Sequence, residues 1–270
     1  MPVSEGVRRE AVLCCDLDGV VWRGDTPIPG SAEAIAHLRA AGFRVVFITN
    51  NSSIPIAGYV ERLAGFGVPA VADDVCTSAQ AAAALVASKV APGAAVLACA
   101  AEGVVEALTE RGLRVVDAGP VDAVVVGFHR AFDFDRLTRA ADAVRGSALF
   151  VATNLDPTYP IAGGFVPGTG ALVAAVATAA GRAPEVAGKP APPMADLVRM
   201  RFGTDGLMIG DRPSTDGAFA LALGCPFALV LSGIAGAGRE ELVPDPPPAF
   251  VAEDLAHLAP LILKSLPDVS

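Results

Sequence analysis

The chain has 270 residues, of which 53% are hydrophobic and only 18% are charged, a composition typical of a compact globular protein with one large domain or two smaller ones. Its net charge of -9 and its isoelectric point near 4.8 argue against a broad surface for nucleic acid or for an anionic membrane. The longest apolar runs, residues 171–180 and 218–231, are too short or too interrupted for a membrane span, which needs about 20 apolar residues.

The first predicted element is a buried strand over residues 11–17, because a continuous apolar run that ends at a glycine is typical of a parallel sheet covered on both faces. Asp16 and Asp18 stand two residues apart at its end, so both side chains can face one pocket. Two carboxylates this close repel each other unless one is protonated or a cation lies between them, and a hard divalent ion is the simplest solution. Taken alone, an Asp-x-Asp-Gly sequence is more often a solvated turn or a helix cap.

A polar segment follows the second predicted strand. A helix that Ser31 is predicted to cap comes first, and then a buried strand over residues 43–48, which ends in Thr49, Asn50, Asn51 and two serines. Hydroxyls, amides and backbone N–H groups between a strand end and a helix start are suited to binding phosphate. An ordinary helix cap would explain one or two of these residues, but not all of them.

The middle of the chain alternates strands with helices, which predicts a parallel sheet covered by helices. The predicted strands are residues 94–98, 114–117, 123–126 and 148–152, and the predicted helices are 79–88, 102–112, 133–146 and 170–181. Because so many elements precede the next polar motif, we predict an inserted domain over residues 80–182, with residues 1–79 and 183–270 as the two parts of one core. Within the insert, the polar segment 153–160, which includes Tyr159, is predicted to be a loop used for recognition, although most loops of this composition are simple turns.

The last polar motifs lie after the insert. Lys189 stands between a glycine and a proline, which favours a fixed role over the more usual surface charge. A short apolar strand over residues 206–210 ends in Asp211, and Asp216 follows closely. Open parallel sheets bind ligands at the carboxyl ends of their strands, although Asp216 could instead favour the start of a helix through the helix dipole.

The five cysteines and three histidines carry no recognisable metal or disulfide pattern. The cysteines are odd in number, form no Cys-x-x-Cys pair and mostly lie in apolar runs, so we expect buried free thiols and no structural zinc. Too few apolar residues separate Arg8 and Arg9 from Asp16 for a signal peptide. The sequence therefore predicts a cytoplasmic protein.

Four motifs, taken in chain order, resemble those of the haloacid dehalogenase superfamily of phosphohydrolases. They are Asp16-Leu17-Asp18-Gly19-Val20, Thr49-Asn50, Lys189, and Gly210-Asp211 followed by Asp216. Residues 15–24, 48–52, 152–160, 167–170 and 188–190 are similar to the NagD-type branch, which includes 4-nitrophenyl phosphatases, phosphoglycolate and glycerol phosphate phosphatases and the pyridoxal phosphatase. The resemblance implies an α/β fold, with a Rossmann-like core built on a doubly wound parallel sheet and an inserted α/β cap domain of the C2 type.

The resemblance also implies a catalytic role for each acid and a requirement for Mg²⁺. Asp16 would be the nucleophile that forms an aspartyl-phosphate, and Asp18 would protonate the leaving alcohol and then activate water. Mg²⁺ would be held by the Asp16 carboxylate, the Asp18 backbone carbonyl and Asp211, with Asp216 steadying its waters.

Five further residues are implied in binding the phosphoryl group or the substrate: Thr49, Asn50, Asn51, Lys189 and Tyr159. Thr49, the amides around Asn50 and Lys189 would hold the phosphoryl oxygens. In the pyridoxal phosphatase a histidine aligns with Tyr159, which argues against pyridoxal phosphate as the substrate. The fourth motif departs from the branch at Pro213, Ser214 and Gly217, which affects the expected loop geometry more than the metal-binding acids.

The predicted function is therefore Mg²⁺-dependent hydrolysis of a small phosphorylated metabolite, with no nucleic-acid or membrane partner. Glycerol 3-phosphate, 2-phosphoglycolate, nucleoside monophosphates and sugar phosphates all remain open, as does 4-nitrophenyl phosphate in vitro. Homodimers formed through the cap occur among the proteins that the chain resembles, and the oligomeric state of this chain is left open. The alternatives are a phospho-acceptor signalling domain, another reaction of the superfamily such as phosphoryl transfer or dehalogenation, and a non-catalytic binding protein. Asp18 and the large insert argue against the signalling domain, and the paired acids Asp211 and Asp216 argue against metal-free dehalogenation.

Overall fold

The computed structural model describes residues 11–161, 164–203, 205–233 and 247–265. The chain divides into two compact units. The first unit contains the residues up to Ile48, Val60–Cys76 and the residues from Val198 onward, and the second contains Thr49–Tyr59 and Thr77–Leu197. In the described ranges no helix has both the length and the apolar character needed to cross a membrane. Arg8 and Arg9, on which the signal-peptide argument rests, lie outside those ranges.

The elements alternate along most of the chain, as the sequence predicts. The strands within the described ranges are β1 (Val12–Cys15), β2 (Trp22–Arg23), β3 (Thr26–Pro27), β4 (Arg44–Thr49), β5 (Val75–Thr77), β6 (Ala95–Cys99), β7 (Arg114–Val116), β8 (Ala123–Val126), β9 (Leu149–Ala152), β10 (Thr158–Ile161), β11 (Gly164–Pro167), β12 (Glu185–Val186), β13 (Gly206–Gly210), β14 (Phe227–Val230) and β15 (Phe250–Ala252). The helices are α1 (Ser31–Ala40), α2 (Ile56–Gly65), α3 (Ser78–Ala87), α4 (Glu102–Glu110), α5 (Phe134–Arg145), α6 (Thr169–Ala180), α7 (Pro192–Phe202), α8 (Ala218–Leu223) and α9 (Leu255–Lys264).

The first unit is built on a six-stranded sheet in the order β15-β14-β13-β1-β4-β5. The central strand β1 pairs in parallel with β13 on one side and with β4 on the other. The strand order reverses at β1, which is the arrangement of a doubly wound sheet and is where such sheets bind ligands. Cys15 pairs with Ile209, so the carboxyl ends of β1 and β13 lie side by side. This register brings Asp16 and Asp211 to the same edge of the sheet.

Helix α1 is capped differently from the sequence prediction. Gly30, in the left-handed conformation with φ +78°, occupies the cap position, and Ser31 is the first residue of the helix. The Ser31 hydroxyl donates to the backbone oxygen of Val20 at 3.1 Å instead of accepting from the helix. The prediction that Ser31 caps α1 was wrong, because Ser31 already has helical backbone geometry and Gly30 occupies the cap position.

The second unit is built on a five-stranded parallel sheet in the order β12-β9-β8-β6-β7. Its strands are short apolar runs, and all four residues of β8 are buried, as expected for a parallel sheet covered on both faces. Helices α5 and α6 pack on it through a buried cluster that includes Val126, Val144, Phe150, Val173 and Val176.

The second unit is wider than the predicted insert of residues 80–182. Strand β12 pairs with β9 through Val186 and Ala152, so the sheet continues past residue 182. The cap boundaries given above stay a prediction. The α/β class with a doubly wound parallel sheet is confirmed.

One predicted loop is partly a hairpin. Segment 153–160 was expected to be a loop throughout, but β10 begins at Thr158 and pairs antiparallel with β11, with Tyr159 opposite Val166. Pro160 is compatible with this two-stranded ribbon, because each strand of a ribbon has one edge that needs no backbone donor. The loop prediction was therefore wrong from Thr158 onward.

Candidate active site

Three buried carboxylates meet in the first unit. Asp16, Asp211 and Asp216 each place a carboxylate oxygen within 4.8 Å of the other two, and they are only 7%, 4% and 1% exposed. Three negative charges removed from water at this separation repel one another strongly unless a cation lies among them or protons are taken up. Oxygen ligands of this kind suit Mg²⁺ or Ca²⁺, so the residues present fit a hard divalent cation.

Two glycines allow the backbone to approach Asp211. Gly19, with φ +91°, follows Asp18, and a Cβ atom built on it would lie 2.6 Å from the Asp211 carboxyl group. Gly233, which follows β14, also faces this carboxyl group so closely that a Cβ atom would overlap it. Any side chain at either position would therefore displace Asp211.

Asp216 is held by the turn that precedes α8. The Arg212 backbone N–H donates to Asp216 Oδ2 at 3.1 Å, and the Asp216 N–H donates to the Arg212 oxygen at 2.7 Å. This turn, Pro213–Gly217, is a π-helical turn, a form frequent at functional sites. Pro213, Ser214 and Gly217, where the sequence departs from the family pattern, thus lie in this turn. The turn nevertheless places the Asp216 carboxylate beside those of Asp16 and Asp211.

Asp18 is not part of this group of three carboxylates. Its side chain accepts a hydrogen bond from Trp22, whose Nε1 lies 3.0 Å from Asp18 Oδ1. Trp22 is fully buried, and Asp18 is partly buried.

The second unit contains a hydrogen-bond network around Asn50. The Asn50 Nδ2 donates to the Lys189 backbone oxygen at 3.0 Å and to Asp156 Oδ2 at 3.2 Å. Its backbone oxygen accepts from Ser78 Oγ at 2.6 Å and from Asn154 Nδ2 at 2.7 Å. Asn50 Oδ1 is buried without a hydrogen-bond partner among the described residues, which is an uncommon state for a buried amide.

Tyr159 joins the same region of the second unit through Asn51. The Asn51 Nδ2 donates to the Tyr159 hydroxyl at 3.3 Å, and the Asn51 backbone N–H donates to Thr49 Oγ1 at 3.1 Å. The rings of Tyr159 and Phe128 lie 5.1 Å apart between centroids. Hydrogen bonds and chain neighbours thus connect five of the predicted residues within the second unit: Thr49, Asn50, Asn51, Tyr159 and, through its backbone, Lys189.

Sequence reasoning missed Trp22, Asp156 and Phe128. Trp22 and Asp156 stand inside the motifs that carried the resemblance, but local spacing does not indicate that one contacts Asp18 and the other Asn50. Phe128 stands in the loop after β8 and has no polar group to mark it.

His129 follows Phe128 in this loop. Burial lowers the pKa of His129, and the positive charge of Arg136 lowers it further, while Asp133 acts in the opposite sense. These effects favour the neutral form of the ring.

Known proteins match this chain along most of its length. A family model for haloacid dehalogenase-like hydrolases matches residues 13–114, and a second, described as HAD hydrolase-like, matches residues 186–258. The D-glycerol 3-phosphate phosphatase of Mycobacterium tuberculosis is 39% identical over 251 residues, which cover 91% of this chain and 70% of that protein. The chain belongs to the haloacid dehalogenase superfamily of hydrolases. Human chronophin is 36% identical, with 93% of this chain and 92% of chronophin covered.

Solved structures of haloacid dehalogenase hydrolases agree with the fold. The glycerol phosphate phosphatase of Mycobacterium tuberculosis, solved with magnesium, superimposes with a TM-score of 0.83 at 38% identity over 93% of this chain and 77% of that one. The 4-nitrophenylphosphatase of Thermotoga maritima gives a TM-score of 0.83 at 30% identity over 94% and 98%. The predicted NagD-like branch, with its Rossmann-like core and cap, is confirmed, and so is the class of enzyme, a phosphoric monoester hydrolase.

Proposed function

We propose that this phosphatase hydrolyses a small phosphorylated metabolite with Mg²⁺, using Asp16 as the nucleophile. The observation that carries the proposal is the group of three buried carboxylates at one edge of the parallel sheet. The Asp16 and Asp211 carboxylates and the Asp18 backbone carbonyl would hold the ion, and Asp216 would support it from nearby. When bound, Mg²⁺ neutralises these carboxylates and the charge of the phosphoryl oxygens.

The chemistry takes place in two steps on this chain's own carboxylates. In the first, the Asp16 carboxylate attacks phosphorus and the bond from phosphorus to the leaving oxygen breaks, while Asp18 donates its proton to that oxygen. In the second, Asp18 takes a proton from water, the water oxygen attacks phosphorus, and phosphate leaves Asp16. Covalent catalysis of this kind replaces one difficult displacement with two easier ones.

The remaining predicted residues bind the phosphoryl group and the substrate. In the family pattern Thr49, the amides around Asn50 and the Lys189 ammonium hold the phosphoryl oxygens, where stabilisation of charge does most of the catalytic work. The hydrogen bond from Asn50 to the Lys189 backbone supports a fixed position for this lysine. Asn51 and Tyr159, joined by their own hydrogen bond, contact the leaving group.

Glycerol 3-phosphate is the first substrate to test. Relatives from Mycobacterium tuberculosis and from human, at 39% and 35% identity, are named as phosphatases of glycerol 3-phosphate. Tyr159 favours a substrate with a small polar leaving group. Its hydroxyl accepts a hydrogen bond from Asn51, and a phenolic hydroxyl can donate as well as accept, which suits a hydroxyl of the leaving group.

The test is phosphate release from a panel of phosphomonoesters with Mg²⁺ or with EDTA. Asp16→Asn should lower kcat/KM by at least about 10³-fold, because no other group replaces the nucleophile. Asp117→Asn, the same change at an exposed acid, should leave the rate unchanged. Turnover by a folded Asp16→Asn protein would contradict the proposal, and a stable phosphorylated protein without turnover would favour a signalling domain.

The cellular location and assembly belong to the same proposal. A cytoplasmic location is supported by the five cysteines, which are all free thiols. A homodimer through the second unit is supported by Phe134 and Leu155, apolar side chains that are 79% and 50% exposed. Light scattering distinguishes such a dimer from a monomer.

A further inference from the structure

Trp22 is the only tryptophan of the chain and lies against Asp18. We propose that Trp22 is a positioning residue that fixes the Asp18 carboxylate for proton transfer to the leaving group. The inference deepens the function proposed above and rests on its assignment of Asp18 as the acid and base. Its main support is the hydrogen bond of 3.0 Å from the Trp22 indole Nε1 to Asp18 Oδ1.

The backbone holds both partners of this hydrogen bond in place. The Gly19 N–H donates to the Trp22 oxygen at 2.7 Å, and the Trp22 N–H donates to the Leu17 oxygen at 3.2 Å, so residues 17–22 form a closed turn. The Ser232 hydroxyl, which comes from the segment after β14, donates to the Gly19 oxygen at 2.6 Å. The turn cannot shift without breaking these contacts, so the indole meets Asp18 in a defined geometry.

The indole ring is fixed on its other sides. It is completely buried, the Arg62 guanidinium lies 4.3 Å from the ring centroid, and the Phe66 ring lies 5.8 Å away. Arg62 in turn lies 3.6 Å from Asp25 and donates to the Gly24 backbone oxygen. A buried indole N–H needs an acceptor, and Asp18 supplies it. The ring therefore restricts the rotamers of Asp18.

The orientation of a catalytic acid matters most when the leaving group needs a proton. A carboxyl group must lie within hydrogen-bonding distance of the oxygen that it protonates, and a small displacement costs a large part of its effect. An alkoxide such as that of glycerol leaves poorly without a proton, whereas 4-nitrophenolate is stabilised by its ring and leaves without one. The fall in kcat/KM on removal of the Trp22 N–H should therefore depend on the leaving group of the substrate.

The test compares Trp22→Phe with the wild type on glycerol 3-phosphate, or on the best alkyl phosphate of the panel, and on 4-nitrophenyl phosphate. Phenylalanine keeps an aromatic ring in place but removes the N–H donor. We expect kcat/KM to fall about tenfold for the alkyl phosphate, the value of one lost hydrogen bond to a charged group, and less than about threefold for 4-nitrophenyl phosphate. An equal loss on both substrates would mean a merely structural role and would overturn the proposal.

Two variants separate this inference from the proposed function. Phe66→Leu removes a ring that contacts Trp22 but keeps the indole N–H, so its effect should be the same on both substrates. Asp18→Asn should discriminate between the two substrates in the same sense as Trp22→Phe and more strongly. If Asp18→Asn does not discriminate, the assignment of Asp18 as the acid fails; if it does and Trp22→Phe does not, the inference about Trp22 alone fails.

A spectroscopic measurement tests the contact without turnover and without a change to Trp22. Because Trp22 is the only tryptophan, its fluorescence reports on this contact alone. Replacing the carboxylate beside the indole N–H, as in Asp18→Ala, should shift the emission maximum, whereas Asp117→Asn should not. Unchanged emission from a folded Asp18→Ala protein would overturn the proposal even if Trp22→Phe does not fold.

Discussion

Single residues without functional groups determine whether the three carboxylates of the candidate site can meet. Gly233 lies so close to the Asp211 carboxyl group that a Cβ atom at this position would overlap it. The chemistry of the site belongs to the aspartates, but their separation depends on the space that the glycines leave.

Gly233→Ala should weaken Mg²⁺ binding by about tenfold or more, since an added methyl group in a packed site costs about 1–3 kcal/mol and would here displace the Asp211 carboxylate, to which the proposal assigns metal binding. Isothermal titration calorimetry with Mg²⁺ measures the change. Gly164→Ala is the matched control, because, its two chain neighbours aside, no other described residue has an atom within 4 Å of a Cβ atom built there. Equal Mg²⁺ affinity of the two variants would show that Asp211 does not need the space at Gly233.

The sequence predicts the acids of the site better than the residues that hold them. Asp16 and Asp211 could be placed because each ends an apolar strand, and parallel strands bring their carboxyl ends to one edge. The hydrogen bond between Asn50 and Asp156 could not be predicted, because the two residues are far apart in the chain and meet only in the tertiary fold. Trp22 stands within residues 15–24, which resemble the NagD-type branch, yet its contact with Asp18 depends on a side-chain rotamer that sequence spacing does not predict.

Helix α9 is stabilised at its N-terminus by a contact whose strength depends on pH. Asp254 caps the helix by accepting from the His257 backbone N–H at 3.0 Å, and it also lies 2.8 Å from His257 Nδ1. Burial alone raises the pKa of Asp254, but the hydrogen bonds from the His257 backbone and ring outweigh this effect and lower it. The hydrogen bond to Asp254 and the charge of Asp254 raise the pKa of His257, while slight desolvation opposes them and Glu253 adds to the increase.

His257→Gln should therefore destabilise the protein more at mildly acidic pH than at alkaline pH. Because the pKa of His257 is higher in the folded state, its contribution is complete below the ordinary value of 6.5 and is lost as the pH rises through the folded-state value. On the acid side, the contribution of Asp254 is lost as the pH falls through its lowered pKa.

The measurement for this prediction is the difference in Tm between His257→Gln and the wild type at pH 5.5 and at pH 8. His37→Gln, the same change at an exposed position on α1, is the matched control. A Tm difference of the same size at both pH values would mean that the His257 ring does not act through its charge.

Elements that carry their own periodic signal were predicted closely, and those that depend on a partner were not. Strands β8 and β13 begin and end where their apolar runs do. Strand β10 was missed because its alternation is short and contains a proline, and it forms only against β11. Strand β12, with two residues, exists only through its pairing with β9.

The thiols of the whole chain should be nearly inert in the native protein. Cys14, Cys15, Cys76 and Cys99 are buried, and only Cys225 is partly accessible. Burial raises the pKa of Cys99 to about 11, although nearby Arg136 and Arg139 oppose it, and burial raises that of Cys225 to about 11 against two backbone hydrogen bonds. Both groups are therefore protonated at pH 8, and the thiol form is a poor nucleophile.

Reaction with Ellman's reagent at pH 8 tests this expectation. The native protein should react slowly, and all five thiols should react once the protein is unfolded in guanidinium chloride. Fast reaction of two or more thiols in the folded protein would contradict the burial described above.

At the scale of the whole molecule, the class of fold could be predicted from the alternation of strands and helices, because chains with this pattern usually form a parallel sheet covered by helices. The position of β12 did not follow from it, because a strand of two residues has no sequence pattern of its own and forms only by pairing with β9.

The register of β1 determines when this protein can finish folding during its synthesis. Val12 pairs with Arg44 on one side and with Gly206 on the other, so the central strand gains its second neighbour only after the ribosome has made the whole of the second unit. The second unit, which closes at Leu197, can be complete while β1 still has an open edge. Long-range pairing of this kind is slow and leaves edges exposed to aggregation. The nascent chain therefore passes through a stage in which the strand that precedes Asp16 has an unpaired side.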